Sequence, residues 1–568
     1  MSVLPRLRRV TLLTLTLLSS CAATQPGGGD SAHAETARLE VSGASGAYLS
    51  GRTAEAEGEL GLAADLFLAG LKIDPSSPEL LREAFITSLL SGRGEAVTLA
   101  RRMQTNVAAQ LLLANADAKD GRWSSAENRL SAIVRQGPVQ VLQPLLVAWA
   151  QFGGGRVDAA LATLTPLAEG QRFRGAYALH AALIADLAGR KPEAERFYRI
   201  AQTDSGGVNL QMARMLASWQ ARNGHVAEAQ QTLNTLQDQA PDVAIAVPAL
   251  YNASSKPMVR NALDGMAEAY LAFGAALRGQ EGGADQAVVM LRLGLDLRPD
   301  LTVARLISSD ILDAAHHEAG ALAMLNPVAE DDPLIAVVRL RQAALSARVG
   351  QVDAALSLLD KVSAAYPTRP DPWSMRGDLL RDGKRFAEAV TAYSTAIQLR
   401  GKPDRSDWPL YYQRGIAYDR SGDWPHAEAD LQHALQLSPD EPFVLNYLGY
   451  SWTEHGENLT KARQMIERAV ALRPDDGAIV DSLGWVALRQ NDTKGAVRLL
   501  QRAVELESGD STVNMHLGDA YWAVGRKLEA QFQWRRALTL NPEPEDLPKL
   551  QAKLRESEAA LGNLPAKP

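Results

Sequence analysis

Residues 408–440 read WPLYYQRGIAYDRSGDWPHAEADLQHALQLSPD, and the small residues of this stretch return three more times along the chain. Glycines recur every 34 or 35 residues, and two series of alanines follow them in step. Self-similarity at this period predicts stacked antiparallel helix pairs, because one such pair cannot bury its own apolar face. Small residues allow two helices to cross closely. The three series are Gly415, Gly449, Gly484 and Gly518; Ala427, Ala462, Ala496 and Ala530; and Ala434, Ala469, Ala503 and Ala537.

These residues resemble the consensus of the tetratricopeptide repeat, which is W-x2-L-G-x2-Y followed by A-x3-F, a further alanine and a proline. Five consecutive units between Trp373 and Pro542 match it in register. The resemblance implies an all-α, right-handed superhelical solenoid of antiparallel helix pairs with a C-terminal capping helix. This architecture favours a binding scaffold over an enzyme.

The N-terminus has the features of an export leader. Arg6, Arg8 and Arg9 precede the apolar stretch 10–18, which reads VTLLTLTLL. That stretch is shorter than the ~20 residues that a membrane-spanning helix needs. We therefore predict a signal peptide over residues 1–20.

The leader ends at a single cysteine. Cys21 is the only cysteine of the chain, so it has no partner for an intrachain disulfide, and residues 18–21 (LSSC) resemble a bacterial lipobox. The resemblance implies that Cys21 is lipidated and becomes the first residue after cleavage. Ala22, rather than Asp, follows it, which by the sorting rule of such lipoproteins implies the periplasmic face of the outer membrane. The alternative is an ordinary cleavage site beside a stray cysteine.

The repeat phase breaks once, between Ala229 and Ala287, where prolines interrupt any continuous helix. Residues 240–259 are either an irregular connection between two parts of the solenoid or a functional loop, since long loops in compact arrays tend to carry function. In all, the repeats amount to about 14 helix pairs. Before the break, alanines recur at Ala63, Ala96, Ala126, Ala159, Ala194 and Ala229. The predicted segments are a signal peptide (1–20), a flexible tether from lipidated Cys21 (21–45), degenerate repeats (46–239), an irregular proline-containing connection (240–262), further degenerate repeats (263–369), well-matched repeats (370–543), and a capping helix with a tail (544–568).

No pattern of catalytic or metal-binding residues is found. The nearest is His316-His317-Glu318, but adjacent helical residues point about 100° apart and do not chelate one ion together. We therefore expect no catalytic residues, no metal and no cofactor. The net charge of −7 and the lack of a basic cluster outside the leader also argue against nucleic acid as a partner.

The candidate site is the groove of the well-matched repeats. In tetratricopeptide arrays the first helix of each pair lines this groove, and its positions follow from the repeat glycine. Aromatic side chains there offer a large contact area, and asparagine can pair with a peptide backbone. The alternative for Trp485 and Trp522 is packing between neighbouring helix pairs. The predicted groove residues are Tyr412, Asn446, Tyr450, Asp481, Trp485, Met515, Asp519 and Trp522.

The last repeat, with residues 517–522 (LGDAYW), Gly525, Arg526 and Ala530, resembles outer-membrane lipoprotein adaptors of carboxyl-terminal processing proteases. The resemblance implies protein partners, namely such a protease and its substrates, often peptidoglycan hydrolases. One alternative is an assembly or export scaffold, either pilotin-like or part of an exopolysaccharide secretion machine. Another is an enzyme or sugar-binding protein that uses residues 240–259.

Overall fold

The computed structural model describes residues 43–135, 137, 139–170, 173–204 and 209–562. Every regular element in these ranges is helical. The predicted signal peptide, Cys21 and nearly all of the tether lie outside the described residues. The α-helices are α1 Ala44–Ala56, α2 Leu60–Ile73, α3 Pro78–Ser91, α4 Glu95–Ala100, α5 Val107–Lys119, α6 Trp123–Ala132, α7 Val139–Gly153, α8 Val157–Ala168, α9 Arg174–Leu187, α10 Lys191–Asp204, α11 Leu210–Arg222, α12 Val226–Gln239, α13 Val247–Ala253, α14 Ala262–Arg278, α15 Ala284–Leu297, α16 Thr302–Ala314, α17 Glu318–Leu325, α18 Ile335–Arg348, α19 Val352–Ala365, α20 Asp371–Asp382, α21 Phe386–Arg400, α22 Trp408–Arg420, α23 Trp424–Leu437, α24 Pro442–His455, α25 Leu459–Leu472, α26 Gly477–Arg489, α27 Thr493–Leu506, α28 Ser511–Ala523, α29 Lys527–Thr539 and α30 Leu547–Gly562.

Consecutive helices pair through tight turns, and each pair packs on the next. Within the described ranges there are fourteen such pairs. The short helix α13 stands between the sixth and seventh pairs, and α30 follows the last pair. The predicted fold class, an all-α solenoid of tetratricopeptide and tetratricopeptide-like pairs with a capping helix, is confirmed.

The recurring small residues lie where the two helices of a pair touch. A Cβ atom on Gly484 would lie 2.5 Å from Leu500, and one on Gly518 would lie 2.4 Å from Trp534. Ala496 and Ala530, from the alanine series, are fully buried. The close approach of the helices therefore explains the period, as expected from the sequence.

In the degenerate repeats the register of one unit differs from the prediction. Ala160 is fully buried at the helix crossing, whereas its neighbour Ala159 is partly exposed. The interval-based choice of Ala159 was wrong by one residue. The turn before α8 carries three consecutive glycines. Its sequence therefore does not determine which of the two following alanines is buried at the helix crossing.

The two halves of the solenoid are built differently. One continuous apolar core runs through the described part of the chain from Ala54 to Val362. The later repeats instead have several small cores, for example around Tyr393, Leu448 and Trp534. The second half is therefore an open array of neighbouring contacts, which is the usual behaviour of solenoids.

The first half is closed by its own chain. The α14–α15 pair packs against α3, α5, α7 and α9, which are the first helices of earlier pairs and form their inner face. The Tyr270 hydroxyl donates a hydrogen bond to Asn115 Oδ1 at 3.1 Å, and Asn115 Nδ2 donates to the Leu293 carbonyl at 3.1 Å. Gly265 lies against the ring of buried Trp149. The groove of the first half is thus largely filled.

The segment that breaks the repeat phase leads the chain back to this inner face. Pro241–Ala246 forms a 3-10 helix, α13 follows it, and residues 254–261 are not helical. Ile245 and Leu250 are among its buried apolar side chains. The segment is thus packed against the core, and it does not project from the solenoid as a loop.

Candidate partner-binding groove

The first helices of the last five pairs, α20, α22, α24, α26 and α28, form a second inner face, which we call the C-terminal groove. Helix α20 packs on α22, α24 packs on α26, and α26 packs on α28. Helices α22 and α24 meet through the rings of Tyr412 and Tyr447. Within the described ranges no helix pair is inserted against them as α14–α15 is inserted in the first half. Among the described residues the C-terminal groove is therefore a concave surface without an inserted helix pair, and the segment before α30 reaches across part of it.

Aromatic side chains line its first part. The ring of Tyr412 lies between Trp408 and Tyr447, with centroid distances of 6.0 Å to each. The Tyr447 hydroxyl donates a hydrogen bond to Asp419 Oδ2 at 2.9 Å. Tyr412 is half-buried, so it keeps an exposed surface in a fixed orientation.

Asn446 and Tyr450 lie side by side on α24 and are both partly exposed. Asn446 Oδ1 is buried and accepts no hydrogen bond from the described residues. Burial, reinforced by the carboxylates of Glu454 and Asp481, raises the pKa of Tyr450 far above its ordinary value. Its hydroxyl therefore stays protonated and can donate a hydrogen bond to a ligand.

Trp485 connects three neighbouring pairs. Its ring stacks on His516 of α28 with 4.1 Å between centroids, and its Nε1–H donates to Glu454 Oε1 of α24 at 2.6 Å. Trp485 is half-buried. The structure therefore favours the alternative for this residue, packing between helix pairs, with one part of the ring still facing the groove.

Asp481 and Met515 form the floor of the groove and not its surface, since both are buried. Asp481 Oδ2 lies 2.8 Å from His516 Nδ1. Burial lowers the pKa of His516, but the nearby carboxylates of Asp481, Asp519 and Glu454 outweigh it, so the pKa of His516 is raised above 6.5. The floor thus holds a buried histidine–aspartate pair, which is an ion pair when His516 is protonated.

This pair predicts a pH-dependent stability. Because the folded-state pKa of His516 is raised, its protonation stabilises the fold fully below the unfolded-state value of about 6.5, and this stability is lost as the pH rises through the folded-state value. We expect the melting temperature of the wild type to exceed that of His516→Gln at about pH 5.5, and the difference to shrink at higher pH. Thermal unfolding of both proteins across this range measures it. A constant difference would show that the proton plays no part.

The last two predicted groove residues have partners within the chain. Asp519 Oδ1 accepts hydrogen bonds from Trp534 Nε1 at 2.9 Å and from Lys553 Nζ of α30 at 2.8 Å. Trp522 is half-buried against Trp534, with 5.4 Å between centroids. Asp519 therefore fastens the capping helix to the last repeat, and Trp522 packs on Trp534 with part of its side chain exposed.

The segment between α29 and α30 bounds the groove at its far end. Glu543 lies 3.4 Å from Lys384 Nζ, and Glu545 lies 3.4 Å from Arg420 Nη2. Both ion pairs connect the end of the solenoid to helix pairs that lie more than 100 residues earlier in the chain. The superhelix thus curves until its C-terminal segment reaches across to α20 and α22.

Tyr447, His516 and Lys553 also belong to this site, although they are not among the predicted groove residues. Tyr447 and His516 each follow a predicted groove residue directly, so an aromatic ring beside a groove position is a usable signal. Lys553 lies beyond the last repeat, and nothing in the repeat pattern indicates its contact with Asp519. In the ranges that the structure describes, no group of three or more potential ligands could hold a metal ion. None of the described helices is both long and apolar enough to cross a membrane.

Family models of the tetratricopeptide repeat match three parts of the chain. The model described as a tetratricopeptide repeat-like domain matches residues 301–406, and two models described as tetratricopeptide repeat match residues 408–441 and 482–543. The matched residues include α20, α22, α28 and most of α26, whereas α24 lies between two matched ranges. The chain therefore contains tetratricopeptide repeats, which indicate a scaffold for protein–protein interaction.

Relatives share the repeats over part of their length. The chain is 30% identical over 219 residues to a TPR repeat-containing protein of Pseudomonas aeruginosa, which is 37% of this chain and 36% of that protein. It is 29% identical over 136 residues to tetratricopeptide repeat protein 13 of Homo sapiens, which is 24% of this chain and 15% of that protein. Among solved structures, the APC/C hetero-tetramer Cut9–Hcn1 gives a TM-score of 0.39 at 15% identity, over 90% of this chain and 95% of that one.

Proposed function

We propose that this protein is a membrane-anchored adaptor that binds a segment of a partner protein in the C-terminal groove. The observation that carries the proposal is the contrast between the two inner faces. The first inner face is largely filled by α14–α15. The second presents the partly exposed side chains of Tyr412, Asn446 and Tyr450.

The chemistry of the groove suits an extended or helical protein segment. Aromatic rings held by their neighbours offer contact area at little entropic cost. The protonated Tyr450 hydroxyl offers a hydrogen-bond donor to a peptide backbone, and the partly exposed Asn446 adds a polar side chain beside it. Aromatic side chains are enriched at protein–protein interfaces.

The more specific role rests on the two resemblances of the sequence. The lipobox-like ending at Cys21 supports a lipid anchor on the periplasmic face of the outer membrane. The last repeat supports an adaptor that holds a carboxyl-terminal processing protease and peptidoglycan hydrolases together. Two sites on one scaffold would make the second encounter intramolecular and raise the effective concentration of the substrate.

The function is tested by affinity capture from crosslinked envelopes, with mass spectrometry of the recovered proteins. We expect a carboxyl-terminal processing protease together with a cell-wall hydrolase, and a loss of at least one of them for Tyr412→Ala. Phe532→Ala is the matched control, because Phe532 is an exposed aromatic residue on α29 outside the groove. Recovery of secretin or polysaccharide-export subunits instead would make the protein an assembly scaffold.

The anchor is tested by Cys21→Ser. We expect this variant to leave the membrane fraction while it keeps the melting temperature of the wild type, because Cys21 precedes the folded repeats. Fractionation and mass spectrometry of the N-terminal peptide measure both the location and the acyl groups. A variant that remains in the membrane through a covalent lipid would contradict the proposed attachment site.

A further inference from the structure

A half-open cavity of about 850 Å³ lies where the inserted hairpin leaves part of the first inner face uncovered. Residues of α1, α3 and α5 line one side, and residues of α14, α15 and α16 line the other. The volume falls within the range of small-molecule sites, roughly 300–1,000 Å³. This cavity is separate from the C-terminal groove and belongs to the closed half of the solenoid.

The walls of the cavity are apolar. Ile86, Phe273, Val289 and Ile311 come from four different helices, pack against the core, and line the cavity with their remaining surface. Each is partly exposed. A ligand with an apolar body is favoured here, because it removes this apolar surface from water.

Charged side chains gather at one end of the cavity, and their pairing is incomplete. Arg52 Nη1 lies 2.6 Å from Glu55 Oε2, and Arg82 Nη2 lies 3.0 Å from Glu83 Oε1. Both guanidinium groups therefore have a carboxylate partner. Asp285, at the second position of α15, is exposed and has no ion pair with any described residue. The charge left uncompensated at this end is negative.

The pKa of Glu55 is consistent with an excess of negative charge at this end of the cavity. Its pKa is raised by burial; Arg52 opposes this rise, and the charges of Glu83 and Asp285 add to it. Two carboxylates thus act on a third at the mouth of an apolar cavity. A positive charge placed among them would be stabilised, because opposite charges attract more strongly near low-dielectric walls.

We infer that the cavity binds a small amphipathic ligand with an apolar body and a cationic end, such as a long-chain primary amine. The body lies against Ile86, Phe273 and Val289, and the ammonium group lies at Asp285. Glu55 and Glu83 keep their bonds to arginine and contribute negative potential. The site makes no contact with the C-terminal groove, so its ligand is distinct from the partner segment proposed above.

Isothermal titration of the purified full-length chain with three ten-carbon compounds tests this inference. Decylamine, decanol and decanoate share one tail and differ in the charge of the end group near pH 7. We expect decylamine to bind with a dissociation constant about tenfold below that of decanoate, with decanol between them. Equal affinities, or no binding of decylamine, would overturn the inference.

Two variants locate the binding. Asp285→Lys is expected to reverse the order, so that decanoate binds more tightly than decylamine. Its matched control is Asp353→Lys, because Asp353 is the exposed second residue of α19 and shares the helix position of Asp285. Val289→Trp fills the cavity and is expected to weaken the binding of all three compounds. An unchanged order in Asp285→Lys would overturn the assignment, whatever the behaviour of the tryptophan variant.

Discussion

Gly265→Ala is expected to destabilise the first half of the solenoid by about 3 kcal/mol, because it overfills the contact between α14 and α7. A Cβ atom at this position would lie 2.3 Å from the indole carbons of Trp149. Trp149 is fully buried and its Nε1–H donates to His180 Nδ1 at 2.9 Å, so the ring cannot move aside without losing that bond. Urea unfolding followed by circular dichroism measures the loss.

Gly61→Ala is the matched control for this prediction. Gly61 is also helical, but the nearest atom to its added Cβ is the end of Arg93 at 3.9 Å. Alanine there is expected to stabilise by about 0.4–1 kcal/mol, since it restricts the unfolded chain. If Gly265→Ala behaved like Gly61→Ala, the α14–α15 pair would not occupy the inner face in solution. Faster amide hydrogen exchange confined to α14 and α15 in Gly265→Ala would show that this helix pair is released from the inner face.

Glu268→Ala is expected to cost about 3–5 kcal/mol, because it leaves a buried guanidinium group without its main partner. Glu268 is almost fully buried on α14, with Oε1 at 2.8 Å from Arg298 Nη1 and Oε2 accepting from Gln211 Nε2 at 2.7 Å. Arg298 keeps only a longer contact, 3.4 Å, to exposed Asp300. The measurement is again the midpoint of urea unfolding.

An exposed ion pair provides the control for the buried one. Glu558 lies 3.2 Å from Arg535, and both side chains are well exposed. Glu558→Ala is therefore expected to change the free energy of unfolding by less than about 1 kcal/mol. If the two variants lost the same stability, Glu268 would not be paired in the interior. If Glu268→Gln lost less stability than Glu268→Ala, the difference between them would be assigned to the hydrogen bonds of the side chain at position 268.

The helix pairs could be predicted from the sequence because their signals are local. The glycines and alanines repeat with the period of the pairs, and each of them fills a crossing within its own pair, as Gly484 does against Leu500. The capping helix could also be predicted, because the last repeat has an apolar face that a further helix must cover. These features need no knowledge of distant contacts.

The closure of the first half could not be predicted in this way. Asn115 bonds to residues 155 and 178 positions away, and no periodic pattern marks such a partner. The break in phase at residues 240–259 predicts an interruption of the regular helix pairs. It does not predict that the chain returns to its own inner face. The contact between Lys553 and Asp519 in the groove is equally non-local, because it forms only when α30 folds back onto the last repeat.

The central claim is that a partner protein binds in the C-terminal groove and not on the outer surface. The most direct test replaces one residue at a time by the photo-crosslinking amino acid benzoylphenylalanine in living cells. Tyr412 reports on the groove, and Phe532, an exposed aromatic residue on α29, reports on the surface outside the groove. The claim predicts a specific crosslinked protein from position 412 and none from position 532. A crosslink from position 532 with none from position 412 would contradict it.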